Sequence, residues 1–512
     1  MKFLDKIARR IGYMSVKTAT RAYAGAVNNR FTEDWKTFYT SIDRDIYMAL
    51  QILRARSRDL VQNNDYARRF IRLCMMNIVG PSGFSLQVKS FDWVQVNKEW
   101  TMKYDELANR IIEEAFKDWS KRKHCSVTGT QSFIDIQKLI IQHASRDGEF
   151  LVRKVYNKKS KYGFQLQVLQ PDLLDEHFNR DLSNGNYIRM GIEFDAWKRP
   201  VAYWLKKLSP SNEFYSGYQA GTNYDRIDAK DIYHGFETEH SSQSRGVPWM
   251  TASMYRMRML GGYEEAAVKN ARAGANKMGF FESDNGEKML GDGVDAQGNI
   301  VSSGEPGSFE QLPPGVKFVG YDPKFPSEQH GSFVKAILRG IASGLGVGYN
   351  TFANDLEGVN YSSIRAGVID EREMWKSLQV WFTESLLEPL FEDWLDSAML
   401  KKVINLPFVK FDKFNAPRWI GRRWAWVDPM KDMEAHVLAR QAGFETSTEI
   451  IAEQGGDIEE TYASIAREQA LAKKHGLVLK FDEIKTGSTP APSTPEPDPA
   501  SQTQKSNQEL ER

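Results

Sequence analysis

The chain has 512 residues, with 68 Lys+Arg against 67 Asp+Glu and a formal net charge of +1. With 41% hydrophobic and 26% charged residues, it has an ordinary globular composition. That excludes wholesale disorder, collagen-like order and a small disulfide scaffold. The length suits about two to four domains. A protein living on sequence-independent DNA affinity carries a large positive excess, so any basic surface here must be local.

Cys74 and Cys125 are the only cysteines. They are too few for a disulfide framework or a four-cysteine zinc site, and the usage fits a reducing compartment. No stretch of about 18 apolar residues exists to make a transmembrane helix, so no membrane is expected. The basic, amphipathic N-terminus (MKFLDKIARRIGYM) lacks the apolar core and cleavage site of a signal peptide.

Residues 1–30 form a basic arm, which either is a solvated tail or touches nucleic acid or a neighbouring subunit. The spacing of Ile46, Leu50, Leu53 and Leu60 predicts helix over 42–78, with Asp43 as its cap. Arg54, Arg56 and Arg58 are expected to splay over different faces. Gly80-Pro81-Ser82-Gly83 breaks the chain before a strand at 84–88. Helices are predicted from about Val96 to Trp119 and Ser132 to Arg146.

From Glu149 to Lys207 the pattern is β. Strands are expected at 150–155, 164–169, 187–194 and 201–205, the last two joined by a turn at 195–200. This reads as α+β rather than as a parallel βαβ array. Residues 250–277 are the longest uninterrupted helical candidate, about 40 Å at 1.5 Å per residue. The segment is rich in alanine, and its scattered charges leave no wide apolar face. It either packs on copies of itself or bridges domains.

Residues 278–327 read as a small β-containing module with strand-like runs at 277–281 and 316–319. A helix from about Gln329 to Leu345 follows, then an exposed loop over 349–361 and a strong helix over 362–399. Residues 401–428 are extended and aromatic, and 429–475 form a small helical unit. The Pro/Ser/Thr-rich tail lacks the apolar content to offset ordering entropy.

No phosphate-cradling GxxxxGK[ST] loop is present, and HExxH and GxSxG are absent. Gly344–Gly348 follows a helix instead of a strand, which disfavours a dinucleotide site. His234, Glu237 and His240 are the densest group of potential ligands, but their spacing does not align the two histidines on a helix. Ordinary hydrogen bonding suits His234 better. A PD…(D/E)xK nuclease would start at Pro171-Asp172, yet Glu193, Asp195 and Lys198 miss the required spacing by one residue, which turns a strand side chain to the other face. Cys125 beside His124 reads as structural. The residues give no specific evidence for an enzyme, a cofactor or a metal.

Several segments together resemble the lambda-type bacteriophage portal protein family. They are Leu53-Arg-Ala-Arg-Ser-Arg58-Asp-Leu60, Asn63 to Ala67, Asn77-Ile-Val-Gly80-Pro81 and Asp147-Gly148-Glu149-Phe150. Gln170-Pro171-Asp172, Gly191-Ile-Glu193-Phe-Asp195, His234-Gly-Phe and Ser244-Arg245-Gly246-Val-Pro248-Trp249 follow in order. Gly358 to Gly367 (GVNYSSIRAG) is the most diagnostic, and Trp424-Ala-Trp426-Val-Asp428-Pro429 with Lys431-Asp432 comes near the end. The likeness runs over about 40–475.

The resemblance implies an α+β, ring-forming portal fold of wing, two-helix stem, clip and crown, with usually twelve subunits at one capsid vertex. Double-stranded DNA passes through its channel during packaging and ejection. The implied partners are further copies of the chain, DNA held weakly and non-specifically, the terminase large subunit, head-completion or adaptor proteins, and the major capsid and scaffold proteins. It places the protein in the virion, and in the host cytoplasm during assembly.

Carried onto this chain, the wing is 31–247 and 401–428, the first stem helix 248–277, the clip 278–327 and the second stem helix 328–346. The tunnel loop is 347–361, a long helix at 362–400 leads back to the wing, the crown is 429–480, and 481–512 is a disordered tail. Lys269, Arg272, Lys335 and Arg339 are the stem candidates for facing DNA. Asn350, Asn354, Asn360 and Tyr361 in the loop either touch backbone phosphate without gripping it or serve turn chemistry. The near-neutral charge suits contacts that are made and lost. The alternative is a DNA-processing enzyme, a nuclease or motor component, for which Asp172 is the residue to test.

Overall fold

A computed structural model describes residues 40–96, 99–207, 223–276, 279–283, 293–294, 300–301, 316–320, 329–357, 361–424, 429–453, 456 and 458–477. The basic arm at 1–30, most of 278–327 and the tail from 481 lie outside them. The chain divides into two units, Met1–Arg422 and Arg423–Arg512.

The first unit opens with helices α1 (Ile42–Asn63) and α2 (Asp65–Cys74). They are separate because Asn64 is extended, and its side chain accepts the Ala67 N–H to start α2. A π turn, Met75–Val79, ends at Gly80 with φ 74°. Asp43 does not cap α1. Its carboxylate accepts from the Ser244 N–H and hydroxyl, both at 2.7 Å, and pairs with Lys198 at 2.8 Å.

After β1 (Ser85–Val88) comes a ribbon, β2 (Phe91–Val96) and β3 (Glu99–Tyr104), in antiparallel register. The helix expected from Val96 is therefore shorter. Trp100, Met102 and Tyr104 alternate with Thr101 and Lys103 at the strand period. Helix α3 (Glu106–Trp119) starts only after Asp105, whose carboxylate accepts the Ala108 N–H. Helix α4 (Phe133–Asp147) has a reciprocal Ser132/Asp135 capping box and stops at Gly148, φ 94°.

The β region forms two antiparallel sheets. One has strand order β11-β4-β5, from β4 (Glu149–Tyr156), β5 (Phe164–Leu169) and β11 (Ile232–Phe236). The other runs β10-β9-β8-β7-β6, from β6 (Arg180–Asp181), β7 (Tyr187–Arg189), β8 (Ile192–Phe194), β9 (Pro200–Lys206) and β10 (Tyr224–Asp228). The run expected as one strand over 187–194 is two. Met190 (φ 49°) and Gly191 (φ 82°) form a tight reversal between them. The hairpin at 195–200 joins β8 to β9 as expected.

Helix α5 (Met254–Asn276) leads to β12 (Gly279–Ser283), β13 (Gly293–Val294), β14 (Ile300–Val301) and β15 (Val316–Gly320). β12 pairs with β15 and β13 with β14. Helix α6 (His330–Leu345) follows, then α7 (Tyr349–Ala353), so the segment expected as loop from 349 begins with a helical turn. Phe352 is the reason: it is 1% exposed, with its ring 5.9 Å from that of Tyr66.

Helix α8 (Tyr361–Phe382), a π turn (Thr383–Leu387) and α9 (Glu388–Leu400) form a continuous helical run longer than α5, which the sequence ranked first. Pro389 lacks the N–H that an unbroken α-helix requires there, and the π turn just before it absorbs the mismatch. The inner faces of α3 and α9 meet in an aromatic core. Phe116 lies 4.9 Å from Trp394 and 5.5 Å from Trp419, ring to ring. Strand β16 (Pro417–Ile420) closes the unit by pairing with β1.

The second unit holds α10 (Pro429–Gln441), α11 (Ser447–Glu453) and α12 (Ile458–Lys474). No helix among the described residues is long and apolar enough to cross a membrane. The architecture is α+β with antiparallel sheets, as the sequence pattern predicts.

Candidate nucleic-acid interface and the hub beside it

Helices α5 and α6 lie side by side. The Ser253 hydroxyl donates to the Ile341 carbonyl at 3.2 Å, and the Tyr263 and His330 rings stack at 5.3 Å. The approach is close enough that a Cβ on Gly340 would sit 2.4 Å from the Arg256 guanidinium. On the outside of α5, Lys269 is exposed and pairs with Glu265 one turn earlier; Arg272 is also exposed.

On α6, Lys335 is bound by two carboxylates from the following segment, Asp355 at 3.2 Å and Glu357 at 2.7 Å. Hydrogen bonds to Glu357 and then Asp355 raise its affinity for its proton. Asp355 is held down to about 2 by the Tyr349 hydroxyl first, then by the Glu357 N–H and by Lys335. Arg339 lies over the Tyr349 ring at 5.3 Å, a cation–π contact.

The segment after α6 is tied down at further points. The Gly348 N–H donates to Glu371 at 3.3 Å, and the same carboxyl group accepts from the Trp375 indole. Arg69 donates to the Thr351 carbonyl at 3.1 Å. Asn350 is half-buried in α7, and Asn354 ends α7 in the left-handed conformation, φ 54°, which asparagine tolerates. Tyr361 begins α8. Asn360 and the Tyr361 side chain lie outside the described residues. The structure thus brings Lys335, Arg339, Asn350 and Asn354 together and puts Lys269 and Arg272 on the neighbouring helix. Sequence reasoning missed Tyr349, Asp355, Glu357 and Glu371. The only available signal was two acids closely following a helix that carries two unmatched cations.

The family-like segments converge elsewhere, on a buried network around Glu149. Arg245 donates to both Glu149 oxygens and to the Met190 carbonyl at 2.6 Å. Arg54 donates to Glu149 at 2.7 Å and to the Asp147 carbonyl at 2.9 Å, and His234 lies 3.1 Å from the second Glu149 oxygen. Burial alone would push the Glu149 carboxyl up. Arg245, Arg54 and His234 outweigh it and hold Glu149 well below the usual carboxylate range.

Arg58, on the same face of α1 as Arg54, bonds Asp147 at 2.8 Å and Asp172 at 2.5 Å, while Arg56 is exposed. The expected splay thus applies only to Arg56, because Arg54 and Arg58 are one turn apart. The Gly148 and Gly246 backbones cross tightly here, since a Cβ on Gly246 would lie 2.1 Å from the Gly148 carbonyl oxygen. The hub fixes the chain a few residues before α5 begins.

The nuclease-like residues are dispersed among different partners. Asp172 is held by Arg58, Glu193 by Arg226 at 3.0 Å, and Lys198 by Asp43. Among the described residues no group of three His, Cys, Asp or Glu side chains is arranged to hold a metal ion. What the α5–α6 region offers chemically is a set of cations, two of which are balanced by carboxylates of the same chain.

The family model described as "Phage portal protein, lambda family" matches residues 28–379, and the chain belongs to that family. A probable portal protein of Halomonas phage phiHAP-1 is 37% identical over 473 residues, covering 90% of this chain and 88% of the relative. The portal protein of Escherichia phage N15 is 23% identical, covering 90% of this chain and 93% of the relative. Portal protein B of Escherichia phage lambda is 24% identical, with 86% and 88% covered. Among solved structures, a chain of the neck of an empty gene transfer agent particle is 14% identical, covers 78% of this chain and 93% of its own length, and has a TM-score of 0.41. A chain of the native particle's virion is 13% identical, with 81% and 99% covered and a TM-score of 0.40.

Proposed function

We propose that the chain assembles into a ring of identical subunits, twelve by the family habit, at one vertex of a phage capsid. Duplex DNA moves through its channel during packaging and ejection. In this reading α5 and α6 are the stem, β12–β15 belong to the clip, the segment from Val347 to Tyr361 is the tunnel loop and α10–α12 form the crown. The first unit outside these elements is the wing. The terminase large subunit docks on the ring during packaging, and head-completion or tail proteins later replace it. Capsid and scaffold proteins surround it, and assembly takes place in the host cytoplasm. The protein performs no catalysis of its own.

Family membership over most of the chain carries this reading. The electrostatics of α5 and α6 support the sliding contact. DNA carries about one charge per 1.7 Å of axis, and each neutralised phosphate adds steeply salt-dependent affinity. A ring multiplies any cation by its subunit number, so unbalanced lysines would hold the duplex fast. Lys269 and Lys335 each carry a carboxylate partner from their own chain, which leaves contacts weak enough to be made and lost.

Native mass measurement combined with imaging of the purified chain tests the proposal. Annular particles with a central hole wide enough for a duplex are expected. A chain that stays solitary under every assembly condition overturns the reading.

A further inference from the structure

A basic patch forms where the turn after α3, the β4–β5 connection and the end of α9 meet. Asp118 accepts from Lys121 at 2.8 Å, from Lys161 at 2.7 Å and from the Tyr162 hydroxyl at 2.9 Å. Ser397 donates to the Tyr162 carbonyl at 2.9 Å, and Lys401 to the Lys158 carbonyl at 2.7 Å. The last turn of α3 and the segment after it carry Lys117, Lys121, Arg122 and Lys123. The connection adds Lys158, Lys159 and Lys161, and Lys401 and Lys402 follow α9. All nine are exposed.

Carboxylates of the same chain do not balance them. Asp118 is shared by two lysines, and Asp135 lies 3.8 Å from Arg122. Glu114 is taken by Arg110, and Glu113 accepts the Val88 N–H. The next acids are Asp396 and Glu392, further back along α9. Even with both included, nine cations stand against four carboxylates. Lys117, Lys123, Lys158, Lys159 and Lys402 have no ion-pair partner among the described residues. Lys402 also holds φ 57°, a conformation that glycine or asparagine adopts more easily. A lysine kept at such a turn is an outlier that points to a use for its charge. The patch is unlike the α5–α6 region, where Lys269 and Lys335 are neutralised by their own chain. It is also remote from the Lys335 clasp along the chain's longest helical run. That run extends from Tyr361, just past Glu357, to Leu400 beside the patch, about 60 Å at 1.5 Å per residue.

We propose that this patch is a second DNA contact: it binds the phosphate backbone of duplex that is not inside the channel. The charge excess selects a polyanion. Eight of the nine cations are lysines, a residue depleted at protein–protein interfaces, whose centres are aromatic and apolar. The large apolar side chains exposed beside them are Tyr156 and Leu400, too few for such a centre. Lysines act on phosphate as point charges and read no bases, so the contact is sequence-independent and weakens steeply with salt. It rests on the ring reading above for the source of the duplex, and adds to it a site outside α5, α6 and the segment that follows them.

A covalently closed circular duplex cannot thread a closed ring, so it reports contacts outside the channel alone. The test measures its binding to full-length wild type and to Lys117→Gln/Lys158→Gln/Lys159→Gln/Lys402→Asn, with native mass and circular dichroism confirming equal assembly and folding. Wild-type rings are expected to hold the circle at about 50 mM salt and release it by about 200 mM. The variant is expected to lose at least about tenfold in affinity at the lower salt, with a slope of log affinity against log salt shallower by up to about 0.9 per phosphate lost. Wild-type rings that ignore the circle, or a variant that binds it equally well, overturn the inference and leave the ring reading intact. A variant that keeps the duplex but loses polyglutamate assigns the patch to an acidic protein and overturns it too. Wild type without annular particles overturns the ring reading instead, and the same comparison on the unassembled chain still decides the patch. Should the variant not fold, acetylation of wild-type lysines decides: Lys117, Lys158, Lys159 and Lys402 are expected to be shielded by the circle, and equal modification with and without it refutes the contact.

Discussion

Glu149 shows how one buried carboxylate organises distant stretches of chain. Its partners Arg54, Arg245 and His234 come from α1, the segment before α5 and β11, and the carboxylate also accepts the Gly246 N–H at 3.1 Å. Removing one member of a buried, hydrogen-bonded charge group typically costs about 3–5 kcal/mol, because the rest stay buried and uncompensated. Glu149→Gln is therefore expected to lose stability on that scale in urea unfolding. A pH effect follows with a definite sign. The folded carboxyl lies below its unfolded value of about 4.3. Its contribution is present in full above that value and is lost as pH falls through the folded one. The Glu149→Gln variant should show a shallower acid-side decline in stability than wild type below about pH 4.3.

At the scale of elements, the segment after α6 is a clasp rather than an open loop. Asp355 and Glu357 hold Lys335, Tyr349 bonds Asp355 at 2.7 Å, and Phe352 is inserted next to Tyr66. Asp355→Asn/Glu357→Gln would free Lys335 for phosphate. Rings of that variant are expected to bind duplex DNA more tightly. The slope of log affinity against log salt should steepen by up to about 0.9 for each phosphate newly contacted. Filter binding across a salt series measures both, and adding Lys335→Gln should cancel the gain. Unchanged affinity would mean that Lys335 does not reach the DNA.

For the whole molecule, 68 basic against 67 acidic residues describe a surface that neither attracts nor rejects a polyanion overall. Purified rings should therefore bind duplexes of unrelated sequence with equal and weak affinity at moderate salt. Competition between such duplexes checks this, and tight, sequence-selective binding would contradict a conduit.

The helices, the antiparallel β region and the family were legible from the sequence. Apolar periodicity reports burial directly, and segments such as Asp147 to Phe150 and Ser244 to Trp249 survive as contiguous text. Local pattern misleads where it is ambiguous. Trp100 to Tyr104 becomes strand only through its pairing with 91–96, and Tyr349 to Ala353 becomes a helical turn only because Phe352 is buried. The convergence of Arg54, Arg58, Asp147, Glu149, Asp172, His234 and Arg245, and the clasp of Lys335 by Asp355 and Glu357, belonged to the tertiary structure alone. A charge's partner is set by distance in space, and only the folded chain brings residue 54 against residue 149.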